Sequence, residues 1–170
     1  MMSQVFVSGH KSPDTDSIAA ALSYSYLKRR LGMDAVAVRA GEINKESRFA
    51  LDYFNLEEPM LVTSVARKNP EDEKQKVILV DHNESKQTID GMDDAEVLEI
   101  IDHHRFGDFE SENPIFILVR PVGCVNTVIY GLYKTNHIKP SREIAGIMLS
   151  AIISDTVLFR SPTTTEEDKE

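Results

Sequence analysis

Residues 4–32, QVFVSGHKSPDTDSIAAALSYSYLKRRLG, decide the fold. Residues 4–8 are rich in β-branched and aromatic side chains and predict a short strand. Residues 9–16 form a polar turn, and residues 17–31 then keep their larger apolar side chains at helical spacing, with Gly32 where a helix C-terminal glycine is expected. A strand that passes through a polar turn into a helix is typical of the first half of a βαβ unit.

The same alternation continues along the chain. We predict strands at residues 35–39, 77–80, 97–101 and 115–119, and helices at 45–54, 125–133 and 142–154, with Pro140 before the last helix. The final helix is strongly apolar and is expected to be buried. Strands that alternate with helices predict an α/β fold, here a single domain over residues 1–170 with a mainly parallel β-sheet flanked by helices.

Composition limits the function classes. A chain of 170 residues with 41% apolar side chains is enough for one compact core. Its 19 basic and 28 acidic side chains give a net charge of −9, which argues against a nucleic-acid partner. The one cysteine, Cys124, cannot form an internal disulfide, and the sequence shows neither a signal-like N-terminus nor an apolar run long enough to cross a bilayer. We expect a soluble cytoplasmic protein with no membrane partner, in which residues 67–76 form a charged, solvated loop.

The last residues carry a helix-start pattern. Thr163 and Thr164 each precede a glutamate by three positions, Glu166 and Glu167, as in a capping box with acidic residues in the first turn. We interpret this as a helix that the chain begins but does not build, at a domain boundary. A frayed acidic tail is the alternative.

Histidine and aspartate residues concentrate at four places in the predicted fold. Three of these follow predicted strands, namely residues 9–16 (GHKSPDTD), 81–83 (DHN) and 102–104 (DHH), and the fourth is Asp155 after the last apolar run. Four of the five histidines lie in these places, whereas His137 lies in a loop that we expect at the surface. The carboxyl ends of parallel strands meet at one edge of a sheet, where ligands bind. We therefore expect the four places to form one site.

A metal centre would explain these residue types. Imidazoles and carboxylates are ligands for Mn, Fe, Co or Zn, and two neighbouring ions need a carboxylate that can bridge them. Asp14 and Asp16 are separated by one residue, so their carboxylates diverge and could serve different ions. Asp81 follows a buried strand, where a carboxylate is costly unless it is paired or metal-bound. The adjacent His103 and His104 point to different sides, so one could bind metal while the other contacts substrate.

Each place also has an ordinary structural interpretation. Asp16 or Ser17 could cap the following helix within an Asx-type turn, and Asp81 could be a turn or cap residue. Asp155 could simply reach water from the end of its helix, although the helix dipole disfavours an acid at that end.

The motifs together resemble one known family. They are GHKSPDTDS (9–17), DHNE (81–84), DHHRFGDF (102–109), PVGC (121–124) and SAIISDTVLFRSPTTT (150–165), and they span essentially the whole chain. In this order they resemble the manganese-dependent (family II) inorganic pyrophosphatases of the DHH phosphoesterase superfamily. Ser12 departs from the pattern, because that family has Asn at this position.

The resemblance implies a role for each matching residue. It implies that His10 and Asp14 bind one metal ion, that Asp16, His103 and Asp155 bind a second, and that Asp81 bridges the two and is catalytic. It implies that His104 faces the substrate as a catalytic phosphate contact or proton donor.

Other residues near the motifs have less specific roles. We expect Asp102 to orient an imidazole. Lys11, Arg105 and Arg160 could contact phosphate or could be ordinary surface cations. Cys124, which with its neighbours could line the site at a helix N-terminus, is expected to be a small packed residue rather than a nucleophile.

The resemblance also implies an activity, namely hydrolysis of diphosphate to two phosphates at a centre of two Mn²⁺ ions, with Co²⁺ or Mg²⁺ as possible substitutes. It implies a homodimer and a separate C-terminal domain that clamps the substrate, so we expect this chain to be the metal-binding N-terminal domain and to be poorly active alone. The alternatives are a DHH phosphodiesterase that acts on short oligonucleotides or cyclic dinucleotides, and a non-catalytic dimeric metal-binding module.

Overall fold

The computed structural model describes residues 4–170 and contains six strands and five helices within that range. The strands are β1 (Val5–Ser8), β2 (Ala35–Arg39), β3 (Met60–Leu61), β4 (Lys76–Val80), β5 (Glu96–Asp102) and β6 (Phe116–Val119). The helices are α1 (Thr15–Arg30), α2 (Lys45–Tyr53), α3 (Val125–Thr135), α4 (Arg142–Asp155) and α5 (Glu166–Lys169). Two short 3₁₀ turns, Ser85–Gln87 and Met92–Asp94, lie between β4 and β5.

All six strands are parallel and form one sheet in the order β3-β2-β1-β4-β5-β6. The chain moves outward from β1 to β3 and then returns to start again on the other side of β1 with β4. The strand order therefore reverses between β1 and β4, and a crevice opens at their carboxyl ends. The predicted α/β fold with a parallel sheet is confirmed.

The two faces of the sheet are covered differently. Alternate strand residues such as Val7, Ile78 and Ile101 pack against α1, α3 and α4. The opposite face, which includes Leu79 and Ile100, is covered by loops and 3₁₀ turns around residues 62–65, 89–95 and 109–115. Burying each of these aliphatic side chains contributes about 1.5–3 kcal/mol, so both layers hold the strand ends in place.

Local capping explains the ends of α1. Asp14 caps the helix, because its side chain accepts a hydrogen bond from the Ser17 backbone N–H at 2.9 Å. The alternative interpretation, in which Asp16 or Ser17 provides the cap, is therefore wrong, and the helix begins two residues earlier than predicted. Gly32 lies beyond the other end with φ of 92°, a left-handed conformation that glycine adopts without steric cost.

The last two helices differ from the prediction. α4 buries only one side, formed by Ile144, Ile147, Met148 and Ala151, whereas Leu149 is largely exposed, so the expectation of a buried helix is wrong.

α5 is short but formed, and its capping box joins Thr165 to Asp168 rather than starting at residue 163 or 164. Asp168 is buried against α3, which stabilises this segment, so the expectation of a helix that is not built is also wrong.

The charged residues 67–75 form a mostly exposed loop as expected, although Arg67 is held by Asp94, and Lys76 already belongs to β4. Among the described residues, the helices are too short or too polar to cross a membrane.

Candidate metal centre

Asp81 lies at the centre of the crevice between β1 and β4. It follows β4 directly and is almost completely buried. Its Oδ2 lies 3.3 Å from Nε2 of His10, and its Oδ1 lies 3.2 Å from Nε2 of His103. The two carboxylate oxygens thus face two different histidines, one from the loop after β1 and one from the loop after β5.

The conformation of Asp81 is unusual in two respects. Its φ is 63°, which is left-handed, and its backbone N–H donates to the carbonyl of Ile101 at 2.9 Å, so the strand ladder holds it there. Neither carboxylate oxygen has a hydrogen-bond partner within residues 4–170, and Nε2 of His103 also lacks one. A buried carboxylate without donors is unfavourable, whereas a bound cation would satisfy it.

His10 and Asp14 form the first group around Asp81. Nε2 of His10 lies 3.6 Å from Oδ1 of Asp14, and ligand atoms of all three residues lie within 4.8 Å of one another. Asp14 already caps α1, which fixes its side chain, and about half of that side chain is exposed. The group can hold one divalent ion and remains open on one side.

Asp16 is held by the N-terminus of α3. Its carboxylate accepts hydrogen bonds from the Val125 N–H at 2.9 Å, from the Asn126 side chain at 2.6 Å and from the Cys124 thiol at 2.8 Å. Positive helix-end polarity stabilises a carboxylate at this position. Cys124 is buried as expected and contacts Asp16.

His103 and Asp155 complete a second group with Asp16. Nε2 of His103 lies 3.5 Å from Oδ2 of Asp16 and 3.7 Å from Oδ2 of Asp155, the last residue of α4. Nδ1 of His103 lies 2.9 Å from the carbonyl oxygen of Val122. With Nδ1 bonded to this carbonyl, a cation that displaced the Nε2 proton would meet the Nε2 lone pair, which is the arrangement of a metal-binding imidazole.

His104 is oriented by a different partner. Its Nδ1 lies 2.8 Å from Oδ1 of Asp102, which agrees with the expectation that Asp102 orients an imidazole. The ring also lies near the first group, with Nδ1 3.8 Å from Oδ1 of Asp81, and about half of the side chain is exposed. His104 can therefore reach a molecule that occupies the crevice.

The crowded charges shift several pKa values. Burial lowers the pKa of His10, but the carboxylates of Asp14 and Asp81 outweigh it and raise the pKa to about 10. His103 behaves in the same way, since Asp81 and Asp16 raise its pKa to about 10 against the effect of burial.

The pKa values of two carboxylates, Asp155 and Asp81, shift in opposite directions. Burial, followed by the charges of Asp14 and Asp81, raises the pKa of Asp155 to about 6. Burial would raise the pKa of Asp81 as well, but the two nearby imidazoles hold it below its usual range.

The expected phosphate-binding cations are engaged elsewhere or lie in solvent. Lys11 forms an ion pair with Asp90. Arg105 is largely exposed and contacts Glu84 at 2.8 Å. Arg160 is exposed.

Two contributors escaped the sequence analysis. Glu46, in the first turn of α2, accepts hydrogen bonds from Thr15, which lies between two candidate ligands, and from Ser154, next to Asp155, at 2.7 Å. Asn83 ties the turn after β4 to the loop after β5. An acid in the first turn of a helix looks like ordinary capping chemistry, so only the tertiary contacts reveal Glu46.

This geometry agrees with comparisons to known proteins. The description "DHH family, N-terminal domain" matches residues 4–152. The chain belongs to the DHH family. Its DHH segment is Asp102-His103-His104. His103 belongs to the second group, and ligand atoms of His103, His104 and Asp81 also lie within 4.8 Å of one another.

Relatives of this DHH chain carry consistent names. A Bacillus licheniformis protein named as a manganese-dependent inorganic pyrophosphatase is 53% identical over 167 residues, which cover 98% of this chain and 52% of that protein. A Methanococcus jannaschii structure assigned to the family II inorganic pyrophosphatases is 41% identical with a TM-score of 0.86, and the match covers 98% of this chain and 53% of that one. The resemblance inferred from the motifs is therefore confirmed, and the chain spans about half the length of the curated relatives it matches.

A more distant structure shares the fold alone. It is an exopolyphosphatase-related protein from Bacteroides fragilis, 19% identical with a TM-score of 0.68, and the match covers 97% of this chain and 49% of that one.

Proposed function

We propose that this chain carries the two-metal centre of a manganese-dependent inorganic pyrophosphatase, which hydrolyses diphosphate to two phosphates. One observation carries the proposal: the buried oxygens of Asp81 lack hydrogen-bond partners within the described residues and lie between two ligand groups. Asp81 belongs to the group with His10 and Asp14, and it lies 3.2 Å from His103 of the group with Asp16 and Asp155. The names of the relatives support manganese as the ion and diphosphate as the substrate.

The residues divide between two ions. His10 and Asp14 would hold one ion, and Asp16, His103 and Asp155 would hold the other, with Asp81 contributing one oxygen to each. This mixed set of oxygen and imidazole ligands suits Mn²⁺, and it also admits Co²⁺ or Mg²⁺. When bound, two such ions neutralise phosphate charge and lower the pKa of a shared water towards neutrality.

The remaining chemistry belongs to the protein's own groups. Asp81 keeps the two ions together, and α3 fixes Asp16 before any ion binds. His104, held through its Nδ1 by Asp102, would direct its other ring nitrogen at the substrate as a phosphate contact or proton donor.

Turnover by these 170 residues alone should be slow. Phosphoryl transfer depends on positioning and on cations that stabilise the transition state. Lys11 and Arg105 are engaged by Asp90 and Glu84, and the groups around the crevice are mostly acidic. We propose that residues 1–170 form the metal-binding N-terminal domain and that the substrate clamp implied by the resemblance lies outside it.

Assembly and location are also proposals. The edge strand β6 exposes Phe116 and Ile117, and this edge could pair with a second copy to give the expected homodimer. The expected cytoplasmic location stays a prediction.

Metal and substrate assays test the proposal. Isothermal titration of the purified chain with Mn²⁺ should give two ions per chain, and diphosphate should be hydrolysed in preference to short oligonucleotides or cyclic dinucleotides. Asp81→Asn should remove metal binding, whereas Asp52→Asn, a matched exposed carboxylate on α2, should not. Preferential cleavage of dinucleotides would favour the phosphodiesterase alternative. Metal binding without hydrolysis of either substrate class would favour the non-catalytic module.

The rate tests the domain proposal separately. Hydrolysis of diphosphate at about 10 s⁻¹ or faster, an ordinary enzymatic rate, would show that these residues suffice without a clamp.

A further inference from the structure

We infer that Asn83 is a positioning residue for the His104 ring, acting through Asp102, whereas the neighbouring His103 ring is held by a different partner. The inference rests on the proposed function only in one respect, namely that His104 is the residue that faces the substrate. Its physical basis is a hydrogen-bond network that separates the two adjacent rings.

The Asn83 amide is buried, and almost all of its hydrogen-bonding capacity is used. Its Nδ2 donates to Oδ2 of Asp102 at 2.7 Å and to the carbonyl of Arg105 at 3.0 Å. Its Oδ1 accepts from the Gly107 N–H at 2.6 Å. An amide has two N–H donors and one carbonyl oxygen, so both donors are committed. All three bonds run to one segment, residues 102–107, which carries the DHH histidines.

Asp102 connects the Asn83 amide to the His104 ring. Oδ2 of Asp102 is occupied by Asn83, and Oδ1 is directed at Nδ1 of His104 and at the His103 backbone N–H, at 2.8 and 2.7 Å. A carboxylate is planar, so a donor that fixes one oxygen also fixes the direction of the other. The His104 ring is about half exposed, and this contact is its one hydrogen bond within residues 4–170.

His103 depends on another element. Its Nδ1 faces the carbonyl of Val122, in the segment before α3, and its Nε2 faces the second ligand group. Loss of the Asn83 amide would leave that carbonyl in place. The two rings lie 4.1 Å apart between centroids, but each makes its hydrogen bond to a different partner.

Asn126 provides a matched comparison. It is also a buried asparagine whose Nδ2 donates to a carboxylate, here Oδ1 of Asp16 at 2.6 Å. Asn83 and Asn126 thus make the same kind of bond to different carboxylates, one beside the substrate-side ring and one within the metal ligands. Asn83→Ala should therefore disturb the His104 ring and spare Mn²⁺ affinity, whereas Asn126→Ala should lower Mn²⁺ affinity.

The test uses ¹⁵N-histidine NMR on the Mg²⁺-loaded chain, with His104→Gln to identify the His104 resonance by its loss. In the unmodified protein the His104 Nδ1–H should exchange slowly with water, and in Asn83→Ala the exchange should be at least about tenfold faster because the acceptor is no longer fixed. Mn²⁺ affinity, measured by calorimetry, should stay within about twofold in Asn83→Ala but fall about 10- to 100-fold in Asn126→Ala.

Several results would overturn the inference. Asn83→Leu, which keeps about the side-chain size but offers no donor to Asp102, provides a second variant if alanine prevents folding. Slow exchange at His104 in a folded Asn83 variant, or a loss of Mn²⁺ affinity as large as in Asn126→Ala, contradicts it. If neither variant folds, Asn83 is a general structural residue and the inference is wrong. Because exchange is read without turnover, the inference stands or fails independently of diphosphate hydrolysis.

Discussion

The bridging role of Asp81 makes a quantitative prediction about thermal stability. Each ion that binds only the folded chain, at a free concentration about 100 times its dissociation constant, stabilises it by about 2.7 kcal/mol. Two ions give about 5 kcal/mol, and for a domain of this size each kcal/mol raises the melting temperature by about 2–4 °C. Saturating Mn²⁺ should therefore raise the melting temperature of the unmodified chain by about 10–20 °C.

Each single substitution should remove the part of this melting-temperature increase that comes from the ion or ions it helps to bind. Asp81 belongs to the first group and lies 3.2 Å from His103 of the second, so under the bridging assignment Asp81→Asn weakens both ion sites and the Mn²⁺-induced shift should nearly disappear. Asp14→Asn affects only the first group and Asp155→Asn only the second, so each should keep about half of the shift. Asparagine tolerates the left-handed backbone at position 81, where alanine would add strain unrelated to metal binding.

Differential scanning calorimetry with and without Mn²⁺ measures the shift, and Asp52→Asn serves as the exposed control. Metal-free melting temperatures show whether each variant is folded. Equal losses in the Asp81, Asp14 and Asp155 variants would refute the bridging assignment, and an undiminished shift in Asp81→Asn would refute the metal centre itself.

Four further predictions concern proton release, pH-dependent stability, the C-terminal segment and assembly. The pKa values of His10 and His103 are raised to about 10, so both rings carry a proton at pH 7.5 without metal. Burial also raises the pKa of Asp16. Calorimetry in buffers of different ionisation enthalpy should therefore detect at least two protons released as both ions bind. The two protonated rings also stabilise the metal-free chain. Their contribution to the free energy of unfolding is fully present below about pH 6.5 and should be lost as the pH rises through about 10, which urea titrations at several pH values would show. Asp168→Ala should lower the free energy of unfolding in urea by about 1–3 kcal/mol, since it leaves the Gly123 N–H without its acceptor, while Glu166→Gln on the exposed side should have little effect. Light scattering at micromolar concentration should give a dimer mass, and Ile117→Lys should give a monomer; a monomer before substitution excludes the β6 interface.

The strands were predictable because their residues are apolar on both sheet faces and end at polar turns. Strand β3 could not be predicted from the sequence, because Met60 and Leu61 are exposed and their pairing with β2 depends on tertiary contacts. Capping chemistry was predictable in kind but not in register. Three consecutive threonines offer similar helix starts, and only the docking of Asp168 on α3 selects Thr165. Similarly, an apolar sequence predicted burial of α4, but composition does not show which helix face its neighbours leave open.

The candidate ligands were predictable for a different reason. Histidine and aspartate after apolar strands violate the usual burial pattern, and a parallel sheet brings strand ends to one edge whatever the loop details are. The positioning residues have no such signal. Asn83 and Glu46 are ordinary turn and helix-start residues in the sequence, and their partners lie about 20 and more than 100 positions away, respectively.

The candidate ligands also differ in how many hydrogen bonds they receive from the protein itself. This difference indicates which ligand contributes most to the stabilisation of the fold by metal. Asp14 caps α1 and Asp16 accepts from α3, so both are held by helix ends before any ion binds. Asp81 has neither kind of support, and a left-handed backbone places its oxygens between two imidazoles. Fixed ligands around one unsatisfied carboxylate form a preorganised site, in which a cation gains most of its attraction from the group that the fold satisfies least. The stabilisation by metal should therefore depend on Asp81 more than on Asp14 or Asp16, whose structural contacts persist without an ion.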